Sequence, residues 1–237
     1  MQVPPVPPLV ASDEQRHPDA RVEAWWWWGT AADLSAGVVV GFELRGNRYD
    51  YWAGLLRVDE PYLYIEELDG GDLRSGLEIK PAQMWADHVC DVPFRQWSLG
   101  NEAHGVLLDD PQEAWRRAYG TLVPVTFDVE WYGALDAVSR LDGLPAGGDG
   151  YRQIGEVDVQ IELTSGVLAF TGPAERVHVW GVPYMPSSFA MPVAPSGMRA
   201  PYRRSDGVLV DQVLTDRWWA NVVGLDGGPG GPVVLGR

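Results

Sequence analysis

The sequence predicts an all-β fold, an antiparallel barrel or two packed sheets with one short helix, and three observations carry this. Apolar and polar residues alternate over many short stretches. Gly, Pro, Asn and Asp punctuate those stretches at short spacing. Twelve tryptophans supply large flat side chains of the kind that fill a wide core or line a ligand cavity. About a dozen short strands separated by turn signals is the pattern of sandwiches and barrels.

Residues 1–20 are Pro-rich and then charged, and are expected to form a flexible arm. Trp25 to Trp28 open the first strand. A strand sends alternate side chains to opposite faces, so two indoles point each way and both faces must be covered. Such a strand lies between a core and a lid, or one indole pair lines a pocket. Val38, Val40, Phe42 and Leu44 alternate with Val39, Gly41, Glu43 and Arg45. Gly46-Asn47 then turns the chain into Arg48–Val58, the signature of a hairpin. Further strands are predicted at 62–68, 77–80, 84–91, 97–108 and 123–131. Val157, Val159, Ile161 and Leu163 against Glu156, Asp158, Gln160 and Glu162 give a strand with one dry and one wet face. Segments 167–171, 176–184, 208–214 and 217–225 complete the set. The one helix runs from about Pro111 to Tyr119, with Asp110 as its cap and Gly120 ending it.

Leu141 to Tyr151 holds four glycines, a proline and two aspartates, and is the candidate linker. It separates a first β half, 21–140, from a second, 152–226. Residues 227–237 are Gly- and Pro-rich and are expected to be a flexible tail.

Composition narrows the function. The net charge is −15, which argues against nucleic acid and anionic membrane surfaces as partners, since both require a basic footprint. No run of about 18 apolar residues is present, so no membrane insertion is expected. The single cysteine, Cys90, and the absence of a secretory signal point to the cytoplasm. There is no phosphate-binding glycine loop, no Gly-x-Ser-x-Gly and no His-Glu-x-x-His. We therefore expect no cofactor and no metal. Nothing in the sequence decides the oligomeric state.

Candidate functional residues fall in four places. His88 and Cys90 share one strand face, with Asp87 on the other, and Glu102 and His104 share a face further on. If the two strands pair, the four could converge on zinc, although His-x-Cys is not a usual zinc spacing. They could equally form an acid–base cluster, or fix loops by hydrogen bonding. Asp128 and Glu130 share a polar strand face; in a dry cavity a carboxylate there would have a raised pKa and could donate a proton. His178 and Trp180 share a face near a bend at Gly181; an imidazole can move a proton, and an indole face stabilises positive charge. Candidate ligand contacts are Trp25, Trp27, Tyr49, Tyr51 and Trp52 in the opening strands. Trp85, His88, His104 and Tyr184 join them from later ones.

The element Gly172-Pro173-Ala174-Glu175-Arg176-Val177-His178-Val179-Trp180-Gly181 resembles the motif in the second half of the hydroxyneurosporene synthase (carotenoid 1,2-hydratase) and AttH-like proteins. The aromatic opening strand and its hairpin are similar in style to their first half. The resemblance implies a lipocalin-like antiparallel barrel, or two linked half-barrels. It also implies proton-driven addition of water to an isoprenoid double bond, with His178 and Trp180 as the matching residues. The family's Tyr-x-Asp pair has no counterpart at the right spacing, Tyr202 and Asp206 being four apart. Two functions follow as expectations. One is a cofactor-free enzyme that hydrates, isomerises or cyclises a polyene-like molecule, with His178 moving the proton and Asp87, Glu102 or Asp128 supplying the acid. The other is a non-catalytic carrier of an apolar metabolite.

Overall fold

The computed structural model describes residues 8–33, 35–57, 60–71, 73–109, 119–140, 146–181, 199–203, 209–214 and 219–224. Nine antiparallel strands form one sheet: β1 (Val22–Thr30), β2 (Ala36–Arg45), β3 (Arg48–Arg57), β4 (Tyr62–Gly70), β5 (Met84–Val92), β6 (Gln96–Leu108), β7 (Thr121–Arg140), β8 (Asp149–Leu163) and β9 (Gly166–Trp180). Their order is β4-β3-β2-β1-β9-β8-β7-β6-β5, and β4 also pairs with β6, through Tyr62↔Leu108 to Tyr64↔Val106. The sheet thereby closes on itself as an antiparallel barrel. β4 and β5 share one edge of β6. Closure removes most of the unpaired edge that an open sheet of this size would expose.

The all-β barrel expected from alternation is what forms. The Gly46-Asn47 turn joins β2 to β3 in register Arg45↔Arg48, with Gly46 at φ 66°, where a side chain would be strained. Segments 167–171 and 176–184, predicted as two strands, are one strand up to Trp180. Pro173 is tolerated because pairing with β1 stops at Gly29↔Ala174, leaving β8 as its neighbour there. Of the strand predicted at 77–80, a single bridge remains, Ile79↔Ala86.

The predicted helix over 111–119 falls on 110–118, outside the described residues. So does the tail, 227–237. Within the predicted linker, 141–145 also lies outside them, whereas Asp149–Tyr151 already belong to β8 and Arg140 pairs with Tyr151. β1 and β9, assigned above to different halves, are direct neighbours. The remaining strands, β10 (Arg199–Arg203), β11 (Leu209–Leu214) and β12 (Trp219–Gly224), make a separate three-stranded antiparallel sheet.

The four consecutive tryptophans are all buried. Trp25 and Trp27 join the barrel core with Phe42, Tyr51, Trp97, Phe127 and Trp131. Trp26 and Trp28 face the other way, on an outer surface that is buried too, alongside Val39, Trp52, Leu56 and Tyr62. Gly41 makes room for this layer: a Cβ there would lie 2.1 Å from the Trp52 ring. The wall built from β1–β3 and the first half of β4 is thus buried on both sides. Across the barrel, Asp128, Glu156, Asp158 and Glu162 stand exposed on the outer face of β7 and β8. Among the described residues, no helix is long and apolar enough to cross a membrane.

Candidate functional site

One end of the barrel is closed by the segment expected to be a flexible arm. A 3-10 turn, Ala11–Glu14, forms where the Asp13 carboxylate accepts the Val10 N–H at 3.0 Å. It carries Glu14 into the barrel, where the side chain is fully buried. Burying a charge is costly unless it is paired and hydrogen-bonded. Glu14 meets that condition: it binds the buried Arg176 guanidinium and accepts hydrogen bonds from Tyr151 Oη at 2.6 Å and Trp97 Nε1 at 2.7 Å. Arg176 also donates to Gln153 Oε1 at 2.8 Å and lies 4.7 Å above the centre of the Trp131 ring. Burial pushes the Glu14 carboxyl up, but the Arg176 charge and these hydrogen bonds outweigh it and hold it below its ordinary value. Glu14 and His17 thus tie this segment to the end of the barrel, Glu14 as the partner that Arg176 requires.

Beside this cluster lies the His178 site. Glu23 and Trp25 alternate on the inner face of β1, and Arg176, His178 and Trp180 on that of β9. Register pairs Trp25 with His178. The two rings stack with centroids 4.5 Å apart. His178 Nε2 is 2.8 Å from Glu23 Oε1, and His17 Nδ1 reaches the same oxygen at 2.7 Å. The His17 N–H donates to Glu23 Oε2 at 2.9 Å, and the His17 ring stacks on Trp180 at 4.0 Å. Burial raises the Glu23 carboxyl, but hydrogen bonds from both histidines overcome it and leave it lowered. Burial lowers His178 more than Glu23 lifts it. Near neutral pH the pair is thus a carboxylate and a neutral imidazole.

A third group sits in the middle of the barrel. His88 is buried against Trp27 (5.5 Å), Tyr51 (5.4 Å) and Phe42 (5.6 Å), measured between ring centroids. Asn101 donates to Tyr51 Oη at 3.0 Å. His88 has one weak polar neighbour, the Leu77 backbone, and no well-formed hydrogen bond from either ring nitrogen among the described residues. Asn101 Oδ1 and the Trp27 indole N–H beside it have none, nor do the indole N–H groups of Trp25 and Trp131 nearer the closed end. Burial pushes the His88 imidazole down to about 4, opposed weakly by the Leu77 backbone.

The other sequence candidates separate by strand face. His178 has its carboxylate, but it is Glu23. Asp87, Glu102 and Asp128 all lie on the outer wall, Asp87 half-buried and the other two exposed. Strand alternation places them one residue out of phase with the interior. His88, Cys90, Glu102 and His104, whose convergence the sequence left open, do not converge, for the same reason. His88 points inward, Cys90 Sγ lies 3.6 Å from Glu14, and Glu102 and His104 point outward. Glu102, His104 and Trp85 instead line an open groove of about 750 Å³ with Lys80, Met84 and Thr126. Trp25, Trp27, Tyr49 and Tyr51 line the interior, whereas Trp52 belongs to the outer buried layer. Tyr184 lies outside the described residues.

Sequence reasoning missed Glu14, His17, Glu23, Tyr151 and Arg176. For Glu23 and Arg176 the signal was present: they share strand parity with Trp25 and His178. Glu14 and His17 lie in an aperiodic, charged stretch that carries no such signal.

No family model matches this chain, and no curated protein matches it. Among solved structures it is similar to a protein of Nitrosomonas europaea that bears the AttH name provisionally. The two share 13% sequence identity at a TM-score of 0.46, over 95% of this chain and 75% of that one.

Proposed function

We propose that this chain is a binding protein whose barrel interior holds a small, mainly apolar molecule carrying a hydrogen-bonding oxygen. The observation that supports this is the poorly satisfied polar cluster in the middle of the barrel: the His88 ring, Asn101 Oδ1 and the Trp27 indole N–H. Buried polar groups are almost always hydrogen-bonded, because each orphan costs about 1–3 kcal/mol. Indole N–H groups only donate. A hydroxyl, ketone or ester oxygen accepting from an indole or from His88, with hydrocarbon against Trp27, Phe42 and Tyr51, would satisfy them. A carboxylate suits the place less well, since Arg176, the buried cation nearest in character, is already paired with Glu14. A cytoplasmic setting is part of this reading.

The test uses the full chain, a polyene alcohol such as retinol, and the corresponding hydrocarbon, followed by tryptophan quenching. The alcohol should bind more tightly than the hydrocarbon, and His88→Leu should reduce that preference about tenfold, the scale of one hydrogen bond. Uptake of neither probe, or an unchanged preference in the variant, sinks the proposal. Native mass spectrometry of protein purified from its own host would identify the natural ligand.

The catalytic alternative is favoured by one feature, the Glu23–His178 pair, which is arranged as an acid–base couple facing Trp25 and Trp180. Hydration or isomerisation would require the segment around His17 to lift so that a double bond could reach His178. Product formation from a polyene, lost in His178→Gln with binding retained, would establish it over simple carriage.

A further inference from the structure

We infer that His17, Glu23 and His178 form a binding site for one first-row divalent cation, with zinc the ion that suits the donor set. Among the described residues, these three bring one ligand atom each to within 4.8 Å of one another. Two imidazole nitrogens and a carboxylate are borderline donors of the kind that zinc takes, and three protein ligands leave a fourth position for water.

The three residues come from separate parts of the chain: His17 from the closing segment, Glu23 from β1, His178 from β9. Both rings are held in orientation by side chains outside the trio, and Glu23 by the backbone of the closing segment. Trp180 stacks on the His17 ring and Trp25 on the His178 ring. The His17 backbone N–H fixes the far oxygen of Glu23. Such support of ligand orientation is what metal sites require. The contents also suit a cation: His178 and Glu23 are buried, while the His17 side chain is 24% exposed and gives access to water. In this structure both nitrogens contact one carboxylate oxygen, at 2.7 and 2.8 Å. Tetrahedral zinc with bonds of about 2.0–2.1 Å separates its ligands by about 3.3 Å. The rings would part by about half an ångström, within reach of a segment anchored by one turn. The ion would take the place of the protons that the histidines now share with Glu23.

This site is independent of the proposed interior ligand and is tested separately. Full-length protein stripped with a chelator is titrated with Zn²⁺ by calorimetry, and with Co²⁺, whose visible absorption reports tetrahedral coordination. One equivalent should bind at micromolar affinity or tighter. His17→Ala should weaken it at least tenfold, and Glu23→Gln should do the same. His17→Cys should restore binding and add a sulfur-to-cobalt charge-transfer band, which a merely structural role for His17 would not produce. Absence of a one-equivalent site, or a His17→Ala titration that overlays the parent, overturns the inference. Because His17 is partly exposed, His17→Ala should fold even where Glu23→Gln does not.

Discussion

The closed end of the barrel and its middle present the same kind of surface, aromatic and buried, yet treat polar groups in opposite ways. At the closed end the carboxylates are answered within the chain, Glu14 by Arg176, Tyr151 and Trp97 and Glu23 by His17 and His178, and only Arg176 Nη1 and His178 Nδ1 are without a hydrogen-bond partner among the described residues. In the middle, Asn101 Oδ1 and the Trp27 indole N–H have none among the described residues, and His88 has only its weak contact with the Leu77 backbone. The difference teaches where each polar group finds its stabilisation. At the end it comes from the chain itself, at the cost of ordering an N-terminal segment. In the middle it is what the proposed ligand would supply.

The largest effect that tests this contrast should come from Glu14→Ala. It leaves the Arg176 guanidinium buried without its carboxylate, and breaking such a pair costs about 3–5 kcal/mol. Chemical denaturation should show this loss, and replacing Arg176 by Met in the same chain should recover much of it. A loss under 1 kcal/mol would mean that the closed end is not sealed as described. In the middle the sign reverses. His88→Leu removes a buried imidazole whose only polar contact is a weak one with the Leu77 backbone, so the ligand-free variant should be more stable at neutral pH, by about 1 kcal/mol.

Acid sharpens the same comparison. His88 titrates at about 4 in the folded protein, against about 6.5 unfolded. Between those values the unfolded chain binds more protons. The stability from keeping His88 neutral is therefore full above pH 6.5 and is lost as pH falls to 4. A shift of this size corresponds to about 3 kcal/mol. His178, also lowered, contributes with the same sign. Glu14 and Glu23, held below their ordinary value of 4.5, contribute stability that is lost only under stronger acid. Stability curves between pH 7 and 4 should flatten in His88→Leu and stay steep below pH 4.5. An unchanged slope in the variant would remove His88 from the account.

His17→Ala should cost about 1 kcal/mol in metal-free protein, the scale of one hydrogen bond. Hydrogen exchange should rise over residues 8–20 and leave β5 and β6 unchanged. Faster exchange around His88 as well would show that the two regions are coupled and that the contrast between them is too sharply drawn.

The barrel was legible because its signals are local. Val157 to Leu163 alternates without a break, and Gly46-Asn47 sets the register of β2 and β3 by itself. Strand parity also predicted that His88 and Cys90 point one way and Asp87 the other. The site was less legible because it is assembled across the chain: Glu14 meets Arg176 over 162 positions, and Glu23 meets His178 over 155. Motif resemblance drew attention to His178 and Trp180, but gave no means of choosing the carboxylate. Parity favoured Glu23, two residues before Trp25. Asp87, Glu102 and Asp128 are the more conspicuous carboxylates in the sequence, but their strand phase sets them outside the barrel.

Asp128 supplies the smallest effect and the sharpest control. It stands exposed on β7, opposite Gly100 and Gln160, with Phe127 and Val129 beside it in sequence but inside the barrel. Its environment is water, so Asp128→Asn should change stability by no more than about 0.5 kcal/mol and leave probe uptake unaltered. Glu23 carries the same functional group on an inner face. Glu23→Gln should weaken the hold on His178 and move the acid limb of the stability curve. If Asp128→Asn altered ligand uptake severalfold, the division into inner and outer faces would fail at β7. The unpartnered atoms of the interior could then no longer be taken as the place where a ligand binds.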